Sequence, residues 1–454
     1  MLADVRSTNI LVNLIARIRD RSMRSQVLER AASYAPATDR EERMAWQLAQ
    51  LNRIWQDIAT RIPRYKQLVL SGQCPQVFSS LNEYSQGVAP VTKAMVQSEL
   101  PELTDPIRPH DMQLTTGGST GEPVTIPAWR EERDQSTPDR WLGRHWYGIH
   151  PGDRLFMLWG HSHLLGTGLQ GWMRGRMRKL KDAALGYHRF SAYQLDDMRL
   201  RTAADEMLRF RPGYVVAYSS ALDYFARVNQ DRADDFARLK LRGAIGTTEN
   251  FPSDDSADVI TRTLHCPVGM EYGSVETGVM GHTAPDPACE NGGMGELRLF
   301  WRSYLFEAGE VGPSGGRVLR ITSLTPRKLP LIRYETGDEV LPAEGEDPLS
   351  LVNLKRVLGK SLAFVTMDDG TAIHSVAFEH AVRACPGVQR FQLVSSDSGV
   401  DLKIVAPYAD HDTITRQIRE TMSRIHPSLM RAKIEFTDTL WQTKAGKTPL
   451  VIRQ

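Results

Sequence analysis

Cysteine is scarce in this chain, and the four that occur, Cys74, Cys266, Cys289 and Cys385, stand far apart. That spacing excludes the disulfide framework of a small secreted protein. No run reaches the roughly 20 apolar residues that cross a bilayer. Asn9-Ile10-Leu11-Val12-Asn13-Leu14-Ile15-Ala16-Arg17 breaks its apolar stretch with polar side chains, so no secretory leader is expected either. An excess of one charge is also missing: 56 basic residues face 54 acidic ones, a formal net charge of +2. Neither a nucleic-acid partner nor a membrane partner is expected, and any bound anion must be held locally. The composition reads as a soluble, cytoplasmic protein, with a homodimer left open. Internal repeats and low-complexity tracts are lacking too.

What is present is enough apolar material for a sizeable core, 41% of 454 residues, and a length that favours two domains, one large and one small. Residues 1–70 show helical spacing, with Leu11, Leu14, Ile15 and Ile18, then Trp46, Leu51, Ile54, Trp55 and Ile58, and are expected to cover something larger. An extended run ending at Leu114, a glycine-rich loop and Pro123-Val124-Thr125-Ile126-Pro127 read as strand, loop, strand. Gln194 to Phe210 reads as a helix, Tyr214 to Ala217 as a strand, and Ser219 as the cap of the next helix. Leu241–Ile245, Ser253–Leu264 and Pro267–Met270 repeat strand, helix, strand, which favours a parallel sheet with helical crossovers. Beyond Leu354 a hairpin over 364–373 precedes a helix over 375–384, strands over 388–394 and 402–406, a helix over 413–425 and a last strand over 433–436. That alternation suits a small α+β unit, with a junction near Gly359-Lys360.

Thr115-Thr116-Gly117-Gly118-Ser119-Thr120-Gly121-Glu122-Pro123 combines glycines, which expose backbone N–H groups, with short hydroxyl donors. A polyphosphate needs both around it. The loop lacks the Gly-Lys-Ser/Thr ending of a Walker loop, and an ordinary hairpin turn has the same composition. Glu276 follows the Tyr272-Gly273-Ser274 turn near the carboxyl edge of the expected sheet, where open α/β sheets place ligands. Its carboxylate suits Mg²⁺, and Tyr272 suits stacking on a planar ring; a helix-cap glutamate beside a buried tyrosine is the alternative. Asp338, in Arg333-Tyr334-Glu335-Thr336-Gly337-Asp338, can accept two hydrogen bonds, as a ribose would offer, although Gly-Asp turns are common. Lys447, after Gly446, is a cation suited to charge building between a carboxylate and an α-phosphate, or else a solvated lysine. The order of these pieces, more than any one of them, points to adenylate formation.

With those motifs the chain resembles the adenylate-forming superfamily of acyl-CoA synthetases, peptide-synthetase adenylation domains and luciferases. Within it the chain is most similar to the phenylacetate–CoA ligase and CapK-like branch, whose signatures Ile62-Pro63-Arg64-Tyr65 and Pro90-Val91-Thr92-Lys93 resemble. The resemblance runs from about Ile54 onward. It implies an α/β fold with a large N-terminal adenylate-forming domain of parallel sheets and helices (residues 1–358) and a small C-terminal α+β lid domain (359–454) carrying Lys447. It further implies that Thr115, Thr116, Gly118, Ser119, Thr120 and Gly121 hold ATP phosphates. Gly246, Thr247, Thr248 and Glu249 would lie along the adenine and acyl pocket, Tyr272, Gly273 and Ser274 beside adenine and the acyl group, Glu276 on Mg²⁺ and Asp338 on ribose. Trp159, His161 and Gly166 resemble one wall of the acid pocket, and Tyr218 and Ser219 another.

Three departures stand out. Gly117 occupies a position where the family's loop has Ser or Thr, and in Val357-Leu358-Gly359-Lys360-Ser361-Leu362-Ala363, which resembles the family's hinge, Lys360 replaces arginine and Leu362-Ala363 replace the acidic pair. Arg356 or Lys360 is the cation available there. The implied chemistry is activation of a carboxylic acid, aromatic by analogy with the branch, by MgATP to an acyl-adenylate, followed by transfer to coenzyme A. A carrier-protein thiol, an amine or another small nucleophile is the alternative acceptor, and a weakened nucleotide-binding relative the alternative class. His265, Cys266, His282 and Cys289 lack a Cys-x₂-Cys pair, and Zn²⁺ is not expected.

Overall fold

A computed structural model describes residues 5–34, 39–115, 125–159, 168–192, 194–195, 197–285, 294–312, 315–358, 364–367, 369–374, 377–378, 381–382, 385, 388, 390–396, 399–407, 409–441 and 451–453. The helical spacing near the start becomes three helices, Val5–Tyr34, Arg40–Arg61 and Pro63–Leu70. Asp39 caps the second through the Glu41 N–H at 3.0 Å, and Pro63 at the first turn of the third fixes the break between them. Leu51, Ile54, Trp55 and Ile58 fall on one face and are buried, as their spacing predicts. The first helix differs from expectation. Its Leu14 and Ile18 are 52% and 61% exposed, so that stretch of its apolar spacing faces outward.

The central sheet has eleven strands. Five are parallel and joined by helices: β3 (Leu155–Leu158), β4 (Tyr187–Phe190), β6 (Tyr214–Tyr218), β7 (Ala244–Thr247) and β8 (Val268–Ser274). The crossovers Gly168–Leu185, Asp197–Phe210, Ser219–Val228 and Ser256–Leu264 connect them. Six antiparallel strands extend the sheet from β8: β9 (Gly278–Pro285), β10 (Met294–Leu299), β14 (Asn353–Val357), β13 (Tyr334–Pro342), β12 (Arg317–Ser323) and β11 (Tyr304–Val311). The expected βαβ repeat is present, whereas this antiparallel half has no counterpart in the sequence reading. Before the sheet, β1 (Met112–Thr115) and β2 (Thr125–Ala128) form an antiparallel pair flanking the glycine-rich loop.

Two local expectations are corrected. The helix read from Gln194 begins at Asp197, because Gln194–Leu195 forms a short strand, β5, paired with β16 (Ala372–His374). Ser219 does not cap its helix: its hydroxyl donates to the Glu249 carbonyl at 2.7 Å, and the Glu249 carboxylate, reached across the fold, accepts the Ser220 N–H at 3.2 Å. A carboxylate at a helix N-terminus meets both the orphan donors and the positive end of the helix dipole.

In the C-terminal part, β15 (Phe364–Thr366) and β16 form the expected hairpin. A four-stranded sheet follows from β17 (Arg390–Ser396), β18 (Gly399–Val405), β19 (Ile434–Phe436) and β20 (Val451–Arg453), with the helix His411–Ile425 burying Ile414, Ile418, Met422 and Ile425. One hydrophobic cluster is continuous from Phe156, Leu158 and Leu195 through Val365 and Ile373 to Leu393, Leu402 and Ile418.

Within the sheet, His282 on β9 is fully buried beside Glu271 and Arg144. Its Nδ1 donates to the Thr283 carbonyl at 2.8 Å, and burial lowers its pKa to about 4 despite the neighbouring Glu271. From pH about 6.5 to 4 the unfolded chain takes up a proton that the folded chain refuses, so stability falls as pH drops through that window, by roughly 3 kcal/mol from this group. Urea midpoints measured across that range are expected to fall with acidification and to fall less steeply in His282→Asn.

Candidate active site

The parallel strands bring several of the sequence-selected residues into one row. Leu158 aligns with Ala217, Ala217 with Gly246 and Gly246 with Met270. One residue further along, Trp159, Tyr218, Thr247 and Glu271 therefore stand side by side at the carboxyl ends, with Tyr272 just beyond. This is the edge of an open α/β sheet at which ligands bind.

The row is tightly built. A Cβ on Gly246 would lie 2.6 Å from both the Phe251 ring and the Ser219 hydroxyl, so only glycine allows this approach. Thr247 donates its hydroxyl to the Glu271 carbonyl at 3.1 Å. Thr248 then adopts φ +79°, a conformation a β-branched residue avoids and one that costs on the order of 1–3 kcal/mol. The Trp159 and Tyr218 rings lie 4.6 Å apart at 32°. Tyr218 is only 1% exposed and belongs to the core, while Trp159 is half-buried and is the better placed of the two to form a wall.

Two tyrosine–carboxylate pairs form beside this row. The Tyr272 hydroxyl donates to Asp338 at 2.8 Å, and the Tyr334 hydroxyl donates to Glu276 at 3.2 Å. Burial, reinforced by the carboxylates, raises both phenol pKa values well above their ordinary value, so both remain neutral donors. Glu276 occupies the β8–β9 turn and not a helix cap. Its carboxylate is buried, and among the described residues no lysine or arginine pairs with it. Such a group is costly unless a cation meets it, which fits an oxygen-ligated divalent ion. The turn is clamped from below: Arg327 donates to the Glu276 carbonyl and to the Tyr304 hydroxyl at 2.9 Å, Tyr304 donates to the Thr277 carbonyl at 2.6 Å, and Arg327 pairs with Glu132 at 3.1 Å. Ser274 meets the Thr277 hydroxyl at 3.1 Å, and a Cβ on Gly273 would lie 2.1 Å from the Gly278 carbonyl oxygen.

Tyr334 was not assigned a role from sequence, although it stands four residues before Asp338 in the same motif. No such signal marks Glu132, Arg327 or Tyr304. Arg356 is exposed and pairs with Asp254 at 3.4 Å. The Glu249 carboxylate is engaged with Ser220, at a helix N-terminus. Thr116, Gly118, Ser119, Thr120, Gly121, His161, Gly166, Lys360 and Lys447 lie outside the described residues, as does the Thr115 side chain. Of the four metal candidates, His265 ends a helix with φ 50°, Cys266 and His282 are buried, and Cys289 lies outside the described residues. Among the described residues no three His, Cys, Asp or Glu side chains group to hold a metal.

Solved structures share this architecture. A crystal structure of 2-hydroxyisobutyryl-CoA ligase in complex with 2-HIB-AMP and CoA, in the thioesterification state, superposes with a TM-score of 0.58 at 17% identity, covering 92% of this chain and 90% of that one. The chain shares the fold of this ligase. An open conformation of the same ligase, also with 2-HIB-AMP and CoA, gives a TM-score of 0.54 at 17% identity over 91% of this chain and 92% of that one. No protein-family model and no curated protein matches the sequence. The strand-end row and both tyrosine–carboxylate pairs lie at the large sheet, and no described helix is long and apolar enough to cross a membrane.

Proposed function

We propose that this protein is an AMP-forming acid ligase of the acid–CoA ligase type. The observation that carries the reading is the pair of carboxylates, buried Glu276 and half-buried Asp338, each fixed by a tyrosine beside the strand ends. In the first step a carboxylate oxygen of the acid attacks the α-phosphorus of ATP, the bond to the β-phosphate oxygen breaks, and pyrophosphate leaves. In the second the coenzyme A thiol, losing its proton, attacks the acyl carbon, and AMP departs with the bond it held.

Asp338, oriented by Tyr272, accepts from the ribose hydroxyls. Glu276, oriented by Tyr334 and held by the Arg327 clamp, is the carboxylate for Mg²⁺, which when bound screens the phosphate charge. Thr115, Thr116, Gly118, Ser119, Thr120 and Gly121 receive the phosphates through backbone and hydroxyl donors, and Lys447 brings a cation to the α-phosphate. Gly246, Thr247 and the strained Thr248 set the backbone on which the nucleotide and acyl group lie. Trp159 gives the acid site a flat wall, which supports an aryl acid. The division into a unit of residues 1–358 and a unit of 359–454 carrying Lys447 belongs to the same proposal. Coenzyme A as acceptor draws support from the ligase with the shared fold, captured with CoA.

The deciding experiment is acid-dependent pyrophosphate release from ATP over aryl acids and short hydroxylated aliphatic acids, with and without coenzyme A. Release with an aryl acid, and thioester formed only with coenzyme A present, is the expected result. Silence across the panel would overturn the reading.

A further inference from the structure

Two neighbouring helices, Val5–Tyr34 and Gly168–Leu185, carry eleven arginines and lysines against three acidic residues, in a chain whose formal net charge is +2. They pack together: Arg19 donates to the Leu185 carbonyl at 2.9 Å, and its guanidinium lies 5.2 Å from the Tyr187 ring. On the first helix Leu14, Arg17, Ile18 and Arg21 follow i, i+3, i+4, i+7 spacing, and on the second Met173, Arg176, Met177 and Leu180 repeat it. The apolar members of both sets are 52% to 66% exposed. Exposed Arg17, Arg21, Arg24, Lys179 and Lys181 form no ion pair with a described residue. Of the three acidic residues, Asp182 is buried and pairs with Arg189 at 2.8 Å, Asp20 is half-buried, and Glu29 alone is exposed, two turns beyond Arg21.

We propose that the face formed by these two helices docks on an anionic lipid surface. Exposed leucine, isoleucine and methionine set among unpaired, long-stemmed cations offer an anionic lipid surface charge complementarity together with apolar side chains for the acyl boundary, the cations reaching up to headgroups. A protein partner would instead desolvate a centre depleted of charge. A second copy in a two-fold dimer would set these cations against themselves. Hydropathy offers no reason to expect a membrane because an apolar run detects only spanning segments, and an interfacial helix needs none.

Flotation of the full chain with vesicles tests this. Protein is expected to float with phosphatidylcholine vesicles containing about a third phosphatidylglycerol, not with phosphatidylcholine alone, and to be released when salt is raised to about 0.5 M. Arg17→Glu with Arg21→Glu, Lys179→Glu and Lys181→Glu is expected to lower partitioning at least about tenfold. Leu14→Ser with Ile18→Ser, Met177→Ser and Leu180→Ser is expected to weaken it as well, each variant keeping the parent melting temperature. Absence of flotation in the parent, or flotation unchanged in folded variants, would overturn the proposal. So would retention on immobilised polyglutamate without flotation, which would assign the face to an acidic protein, or a change of sedimentation mass in the variants, which would assign it to a second copy.

Discussion

Glu276→Gln is expected to slow acid-dependent pyrophosphate release by about two to three orders of magnitude and to raise the Mg²⁺ concentration at half-maximal rate. The substitution keeps size, burial and an acceptor for the Tyr334 hydroxyl, so it removes charge and little else. In a water-poor site that charge is worth far more than at the surface. A Mg²⁺ titration in the pyrophosphate assay separates the two outcomes: a lower rate with an unchanged midpoint would leave Glu276 as a structural residue of the turn. Lys447→Ala, in the same assay, is expected to abolish release while leaving thermal unfolding unchanged. Release at the parent rate would remove Lys447 from the mechanism.

The second large effect is on stability. Arg144 holds Glu271 through two nitrogens, at 3.0 and 3.2 Å, with both side chains almost fully buried. Burial alone would push the Glu271 carboxyl up; Arg144, with Arg140 and His282, more than offsets this and holds it below the ordinary range. Arg144→Met leaves that carboxylate without its hydrogen-bonded partner, at a cost of about 3–5 kcal/mol. A drop in melting temperature of on the order of 5 °C or more is expected. Without Arg144 the carboxyl pKa rises, so the deficit should shrink as the pH is lowered and Glu271 takes up a proton. Adding Glu271→Gln should recover much of the loss at neutral pH; an additive double variant would mean that the pair is not the source.

What could be read in advance follows from the range of each signal. The βαβ repeat was legible because a parallel strand and its crossover announce themselves locally, through apolar runs and helix ends around residues such as Pro212-Gly213. The antiparallel half was not, since its strands alternate or carry charge, as at Glu307, Arg320 and Glu335, and are fixed by partners far along the chain. Ser219 failed as a cap for the same reason: local chemistry favoured serine, and a distant carboxylate won. At the site, Asp338 and Glu276 were selected from turn motifs, yet their tyrosine partners are 66 and 58 residues away in sequence. Tyr272 is expected to offer a ring for stacking; the hydrogen bond its hydroxyl donates to Asp338 is a further contact that composition cannot reveal.

The hairpin β15–β16 bears on how the C-terminal residues can move. Ala372 and Ile373 are zipped to Leu195 and Gln194, and Val365, Met367 and Ile373 sit in the same apolar cluster as Phe156 and Leu195. Turning everything after residue 359 as one block would drag those three side chains into water, about 1.5–3 kcal/mol apiece. Under the proposed division at residue 359, such a swing would be a rare excursion, and its frequency would set an upper limit on turnover. A pivot placed after His374 leaves the zip closed and spares those three side chains, so the cost of the swing depends on which side of an eleven-residue ribbon, 364–374, it begins.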